Sequence, residues 1–362
     1  MDKLVSKASE EVNERVMSVV LDEHKLLEHL AALKKFLLLG QGDFVSALLD
    51  AVGPELSKRA DAVYRHNLIG VLDTALRGTN AQYLPATILD RVGVKLYEPS
   101  PGDSGWDVFS LDYALESPLT AVVHARASSR YRRIFHLLWR LKRIEWALNN
   151  TWRRAVSVNH ALAKSSRGGG RRESASITRA LRRVALLRQE MLHVIGNFQN
   201  YLMFEVLESS WNALLAAIKT SSCLDDIIDA HDTYLANIMK LALLGDDAES
   251  RTLAAQLNLV FDIADRFCAV QDRLFVDCLS TLSGAEGGVE EVEQFGVKSL
   301  EAVSTTSSNY YAAMQDLFES LGEKLSGHDT AMGHDELSFL LFRLDFNGFY
   351  DSKFAGQVGE GA

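Results

Sequence analysis

The sequence predicts an all-α fold: irregular bundles of long helices with one small hairpin-like pair of strands. Three observations point there. Only five prolines occur in 362 residues, and proline breaks helices by fixing φ and removing a donor. Hydrophobic residues make up 47% and charged residues 24%, the balance of a globular chain with a core of its own. Apolar residues recur at steps of three and four over most of the length, which is the period of one helix face. No repeat period links the helices, so stacked repeats are not expected. The expected division is 1–92 as an N-terminal helical part, 93–116 as the strand pair, 117–350 as the main helical bundle and 351–362 as a disordered tail.

Taken in order, residues 9–39 read as one or two helices, with Val12, Val16, Val19, Val20, Leu27, Leu30, Leu33 and Leu37 in phase and Gly40 as the stop. Asp43 is placed to cap a helix over 44–52, which Gly53-Pro54 ends. A further helix covers 55–77, with Leu56, Ala60, Val63, Leu68, Val71, Leu72 and Leu76 inward. Loop and a short helix around Pro85 fill 78–92. GVKLYE (93–98) and the run Trp106–Tyr113, entered through Pro99-Ser100-Pro101-Gly102-Asp103, form the strand pair. Beyond Pro118 a long helix carries Tyr131, Ile134, Phe135, Leu138, Leu141, Ile144, Leu148 and Trp152 on one face.

The stretch 163–176, rich in Gly, Ser and Arg, reads as a surface loop. A helix over 177–208 follows, with Ile177, Leu181, Val184, Leu187, Met191, Val194, Phe198 and Leu202 as its stripe. Ser209-Ser210 look like a cap that restarts a helix at Trp211. Helices are expected over 224–244, 248–282, 297–321 and 337–350, with loops at 283–296 and 322–336.

The formal net charge is -10, yet 126–154 is dense in Arg126, Arg130, Arg132, Arg133, Arg140, Lys142, Arg143, Arg153 and Arg154. Such asymmetry fits an acidic partner, or equally a solvated face whose arginines pair with the chain's own carboxylates. The acidic balance argues against a nucleic-acid-binding body. Cys223, Cys268 and Cys278 form no CxxC and leave one over, which suits a reducing compartment without disulfides. The first residues lack the apolar core of a signal peptide, and no apolar run of membrane-spanning length exists, so no transmembrane segment is expected.

No chemistry-bearing constellation is complete. Gly40-Gln41-Gly42 and Gly168-Gly169-Gly170 do not sit in a strand–loop–helix setting, and GxxxxGK[ST] is absent. Glu190-x-x-His193 has no second copy for a carboxylate-bundle metal site, so His193 reads as a core or interface histidine. There is no GxSxG elbow, and Cys268 reads as a structural thiol. The expectation is a non-enzyme with no cofactor and no metal. The aromatics near 106–152 and 198–211 are core or interface anchors, and sequence does not separate the two.

The segment SPLTAVVHARASSRYRRIFHLLWRLKRIEWAL (117–148) resembles the Pro-Leu, Tyr-x-x-Ile-Phe, Leu-x-Arg-x-Lys-Arg pattern of the gamma-tubulin complex proteins. LLLGQGDFVSALLDAVGPEL (37–56), HNLIGVLDTALRGTNAQ (66–82), SPGDSGWDVFSLDY (100–113), EMLHVIGNFQNYLMFEVLESSW (190–211), LDDIIDAHDTYLANIM (224–239) and FRLDFNGFY (342–350) are similar to segments in the same order there. The resemblance is to the C-terminal half of that family, so a fragment, a truncated gene model or a reduced paralogue is expected, without autonomous ring assembly. It implies a helical-bundle scaffold that binds gamma-tubulin, joins other gamma-tubulin complex components, and acts in microtubule nucleation and minus-end capping. It places the protein in the cytoplasm and cytoskeleton, at microtubule-organising centres and spindle poles. Arg130, Arg133, Lys142 and Arg143 are then expected to help hold gamma-tubulin, with Asp112, Arg343, Asp345 and Asn347 near or supporting them. Arg130 and Arg133 share a helix face at a step of three, and Arg343 and Asp345 alternatively pair with each other or with the basic helix. The other readings are a helical adaptor whose basic 126–154 helix meets another acidic protein or a membrane surface, and an enzyme with an unrecognised site.

Overall fold

The computed structural model describes residues 2–165, 174–283, 289–326 and 334–359. The elements run α1 (Asp2–Ser18), α2 (Leu26–Phe36), α3 (Gly42–Leu56), α4 (Arg65–Arg77), α5 (Ala86–Leu89), β1 (Val92–Leu96), α6 (Gly105–Val108), β2 (Phe109–Tyr113) and α7 (Ala125–Ser165). They continue as α8 (Ser174–Asn200), α9 (Ser209–Thr220), α10 (Leu224–Leu241), α11 (Ala248–Ser283), α12 (Val289–Ser326), α13 (His334–Leu344) and α14 (Phe349–Gly359). Among the described residues the one sheet is β1 paired antiparallel with β2, in register from Val92 opposite Tyr113 to Leu96 opposite Phe109. The fold is all-α with a small hairpin, as the sequence predicts.

Contacts group the chain into two compact units: Met1–Arg143 with Leu202–Gly245, and Ile144–Tyr201 with Asp246–Ala362. In the first unit β2 lies against the start of α7. The Phe109 ring is 5.0 Å from Trp139 and 6.5 Å from Phe135, and Trp106 is 5.8 Å from Trp139. Helix α10 closes the other flank. His231 is fully buried on it, and its Nε2 lies 3.0 Å from the Tyr131 hydroxyl of α7. In the second unit α8, α11 and α12 pack through Phe198, Phe261 and Tyr310, among others. Tyr350 of α14 is buried there, its hydroxyl 3.1 Å from that of Tyr310. None of the three cysteines is in a disulfide: Cys223 is half-buried just before α10, whereas Cys268 and Cys278 are buried on α11. Burial pushes the Cys278 thiol up to about 11.

Several local expectations are corrected. Asp43 does not cap its own helix; its carboxylate accepts the backbone N–H of Asn80 at 2.8 Å. Pro54 lies inside the last turn of α3 rather than ending it, and the Asp50 position whose carbonyl loses that donor is exposed to water. The helix expected over 55–77 breaks at 57–64, because Ala60 turns aside to give its N–H to Asp103. Trp106 is not in the strand. Ser104 and Asp107 form a reciprocal cap that winds Gly105–Val108 into a helical turn, so β2 begins at Phe109. Ser209 is no cap either: α8 passes through a π-helical stretch, Tyr201–Glu208, into α9 without a break.

Trp152 leaves the buried stripe and is 54% exposed. Each step of four overshoots a turn by about 40°, and two such steps after Ile144 rotate Trp152 out while Thr151 and Val158 carry the seam. His193 is not a core residue but sits on the surface beside Asn197. The expected loop at 283–296 is helical at Ser283 and from Val289 onward, and 284–288 lie outside the described residues. Glu290, Glu291 and Glu293 are good helix formers and suit a helix N-terminus. Likewise 163–165, 174–176, 322–326 and 334–336 are helical, while 166–173 and 327–333 lie outside the described residues. The helix expected over 337–350 stops at Leu344, and the chain expected to be loose from 351 is helical to Gly359. Its start is fixed by the Asp345 carboxylate, which accepts the N–H of Tyr350 at 2.9 Å and of Asp351 at 3.2 Å. Residues 360–362 lie outside the described residues.

Two outcomes follow. A Cβ on Gly105 would lie 2.8 Å from both the Leu56 Cα and the Val63 Cγ2. Gly105→Ala should therefore cost about 1–3 kcal/mol, read as a lower urea midpoint; an unchanged midpoint would show that α3 moves freely. Burial, opposed by Asp232 and reinforced by His124 and Arg130, lowers the His231 imidazole to about 4. Between that value and about 6.5 the unfolded chain holds the extra proton, so stability falls as pH is lowered through this window. The loss attributable to His231 is roughly 1 kcal/mol at pH 5.5, and His231→Gln should flatten the stability–pH curve by that amount relative to its own value at pH 7.5.

Candidate protein-binding surface

The basic residues of α7 sit where packing leaves them room. Positions 131, 134, 135, 138, 141 and 144 are buried, so residues between them emerge along the edges of the buried face. At one edge the Arg130 side chain is only 18% exposed. Its Nη1 donates to the Asp232 carboxylate at 3.1 Å and to the Asp232 carbonyl at 3.2 Å. His124 Nε2 reaches the second oxygen of the same carboxylate at 3.3 Å. Arg130 is therefore a clamp between α7 and α10, and a charge removed here leaves Asp232 short of its partner.

Arg133 is exposed and donates to the Leu244 carbonyl at 2.8 Å, just past the end of α10. A cation beside these last carbonyls is favoured by the helix dipole. Lys142 is half-buried. Arg143 donates to Asp107 at 3.2 Å and lies 5.7 Å from the Trp106 ring centre. Burial alone would raise the Asp107 carboxyl, but the Ser104 hydroxyl and N–H, together with Arg143, hold it below the usual carboxylate range. Asp112 is the exposed residue of β2. Of the two readings of the basic helix, internal pairing thus holds for Arg130 and Arg143, and for Arg154, which meets Asp272 at 2.8 Å in the second unit.

Arg343, Asp345 and Asn347 belong to the second unit, whereas Arg130, Arg133, Lys142, Arg143 and Asp112 belong to the first. The Arg343 guanidinium lies 4.5 Å from the Phe339 ring centre. Asp345 is the cap of α14 described above, and Asn347 is exposed in the turn before Gly348, whose φ of +60° suits glycine. Sequence reasoning missed the partners Asp107, His124 and Asp232, because long-range pairing leaves no local pattern. It also missed the outward phenylalanines of 339–349, although their spacing was readable.

Among the described residues no group of three or more His, Cys, Asp or Glu is placed to hold a metal ion. No described helix is long and apolar enough to cross a membrane. Arginines interleaved with tryptophan and tyrosine are the composition of protein-binding hot spots.

Comparison with known proteins agrees. The family model described as gamma tubulin complex component C-terminal matches residues 26–350. The chain is 36% identical over 356 residues to a gamma-tubulin complex component 3 homolog of Xenopus laevis, covering 93% of this chain and 38% of that protein. It is 34% identical over 361 residues to gamma-tubulin complex component 3 of Homo sapiens, covering 95% and 39%. It is 34% identical over 355 residues to the spindle pole body component alp6 of Schizosaccharomyces pombe, covering 97% and 41%. The chain spans about two-fifths of the length of these relatives. With a match this long and ordered, the chain belongs to the gamma-tubulin complex component family and corresponds to its C-terminal part.

Proposed function

We propose that this chain is a gamma-tubulin-binding scaffold that works with other gamma-tubulin complex components in microtubule nucleation and minus-end capping, at microtubule-organising centres and spindle poles. The observation that carries the reading is the family match over residues 26–350. The basic row on α7 supports it, because an acidic partner is steered toward such a row and held along its rim. The mechanism is positional. Fixing one gamma-tubulin beside the next removes much of the entropic cost of bringing several subunits together in register. The chain makes and breaks no bond, and any nucleotide belongs to the tubulin.

Arg133 and Lys142 are the contact residues of this reading, and Asp112 sets the acidic border of the same unit. Arg130 and Arg143 contribute field while serving as clamps. Arg343, Asp345 and Asn347 act in support by shaping the turn before α14. The test is co-purification of gamma-tubulin with the chain carrying Arg133→Glu and Lys142→Glu. Association should drop by roughly tenfold at physiological salt and become less salt-sensitive, while the thermal midpoint stays within about 2 °C. Full co-purification by that variant at an unchanged midpoint would sink the basic row as the contact. Arg130→Glu should instead lower the midpoint, since it leaves Asp232 facing a like charge.

A further inference from the structure

Helix α13 is apolar on two opposite sides. Leu337, Leu340 and Leu344 face the core of the second unit and are buried. Phe339, Phe342, Phe346 and Phe349 are 36%, 56%, 67% and 41% exposed. Phe339 and Phe342 share the outward side of α13, Phe346 follows in the turn beyond it against Phe342, and Phe349 begins α14. A helix apolar all round belongs in an interior, and a cluster of exposed aromatics marks a contact surface. The Phe342 and Phe346 rings meet edge-on at 5.2 Å, so they form one block rather than two isolated side chains.

Beside these rings opens a cleft of about 520 Å³. Phe318, Leu341, Phe342 and Phe354 give it apolar walls, and Glu319, Asp345 and Asp351 line it with carboxylates. Glu319 and Asp351 are exposed. The nearby cations are turned to other partners: Arg343 lies over Phe339, and Lys353 lies over Phe349 and donates to the Tyr311 hydroxyl.

We propose that this face of α13, with the adjoining cleft, docks an amphipathic helix of a partner protein whose apolar side chains are flanked by Lys or Arg. The charge of the rim decides the occupant. A second copy of the chain would bring its own carboxylates against these, which costs affinity in a two-fold contact. An acidic surface, the kind suited to the α7 row, is repelled here for the same reason. A basic amphipathic helix places leucine- or methionine-sized groups between Phe342 and Phe354 and sets cations beside Glu319 and Asp351. The surface goes beyond the scaffold reading and does not depend on it.

The experiment uses the full chain and two labelled helical peptides of about four turns with one pattern of leucines, one carrying lysines and one glutamates elsewhere. Fluorescence anisotropy should show binding of the lysine peptide only. Phe342→Ser with Phe346→Ser should weaken it at least about tenfold without moving the thermal midpoint. Glu319→Gln with Asp351→Asn should weaken it several-fold and flatten its salt dependence, and this pair serves as the reading if the phenylalanine variant does not fold. Equal binding of both peptides, or wild-type affinity in the two variants, overturns the proposal. So does sedimentation that shows a dimer of the wild-type chain lost in the phenylalanine variant, because the occupant is then a second copy.

Discussion

Helix α7 can carry so many cations only because its other side is shut into aromatic and leucine contacts. Phe109 of the hairpin closes on Phe135 and Trp139, and His231 of α10 closes on Tyr131. Each large side chain so buried contributes about 1.5–3 kcal/mol, whereas a solvated ion pair contributes about 0–1. Packing therefore sets where the helix lies, and the arginines take the positions that packing leaves. Two of them, Arg130 and Arg143, then tie α7 to Asp232 and Asp107 at its edges. The hairpin, α6 and α10 all depend on the same buried face.

The two candidate surfaces are built on opposite chemistry. The α7 row offers cations on long, mobile side chains around a wet rim, which favours fast, salt-sensitive association. The α13 face offers rigid rings beside a cleft, which favours slow release once water is expelled. Each lies wholly within one compact unit, so either can be altered without touching residues of the other.

What was legible in the sequence is what repeats locally. The stripe from Tyr131 to Leu148 was readable because one helix period governs it, and the strand pair because β-branched and aromatic residues cluster there. What failed was decided at a distance. Asp43 answers to Asn80 and Ala60 to Asp103, and no local pattern announces either. Ser209 has the look of a cap, but the π-helical stretch before it absorbs the phase error that a break would otherwise have corrected. In FRLDFN the alternation of apolar and charged residues obscured a helix with two apolar sides, of which only the leucine side is covered. The basic row was legible as charge, but which arginines are clamps was not, since Asp107 and Asp232 come from other elements.

The three cysteines divide between the two units: Cys223 lies in the first and Cys268 and Cys278 in the second. Cys223 is half-exposed to reagents, while Cys278 is both enclosed and held in its protonated, unreactive form. Alkylation of the native chain accordingly begins at Cys223, and modification of Cys278 waits on an opening of α11. The chain thus carries its own chemical clock, in which the delay between first and last thiol counts how often the second unit breathes.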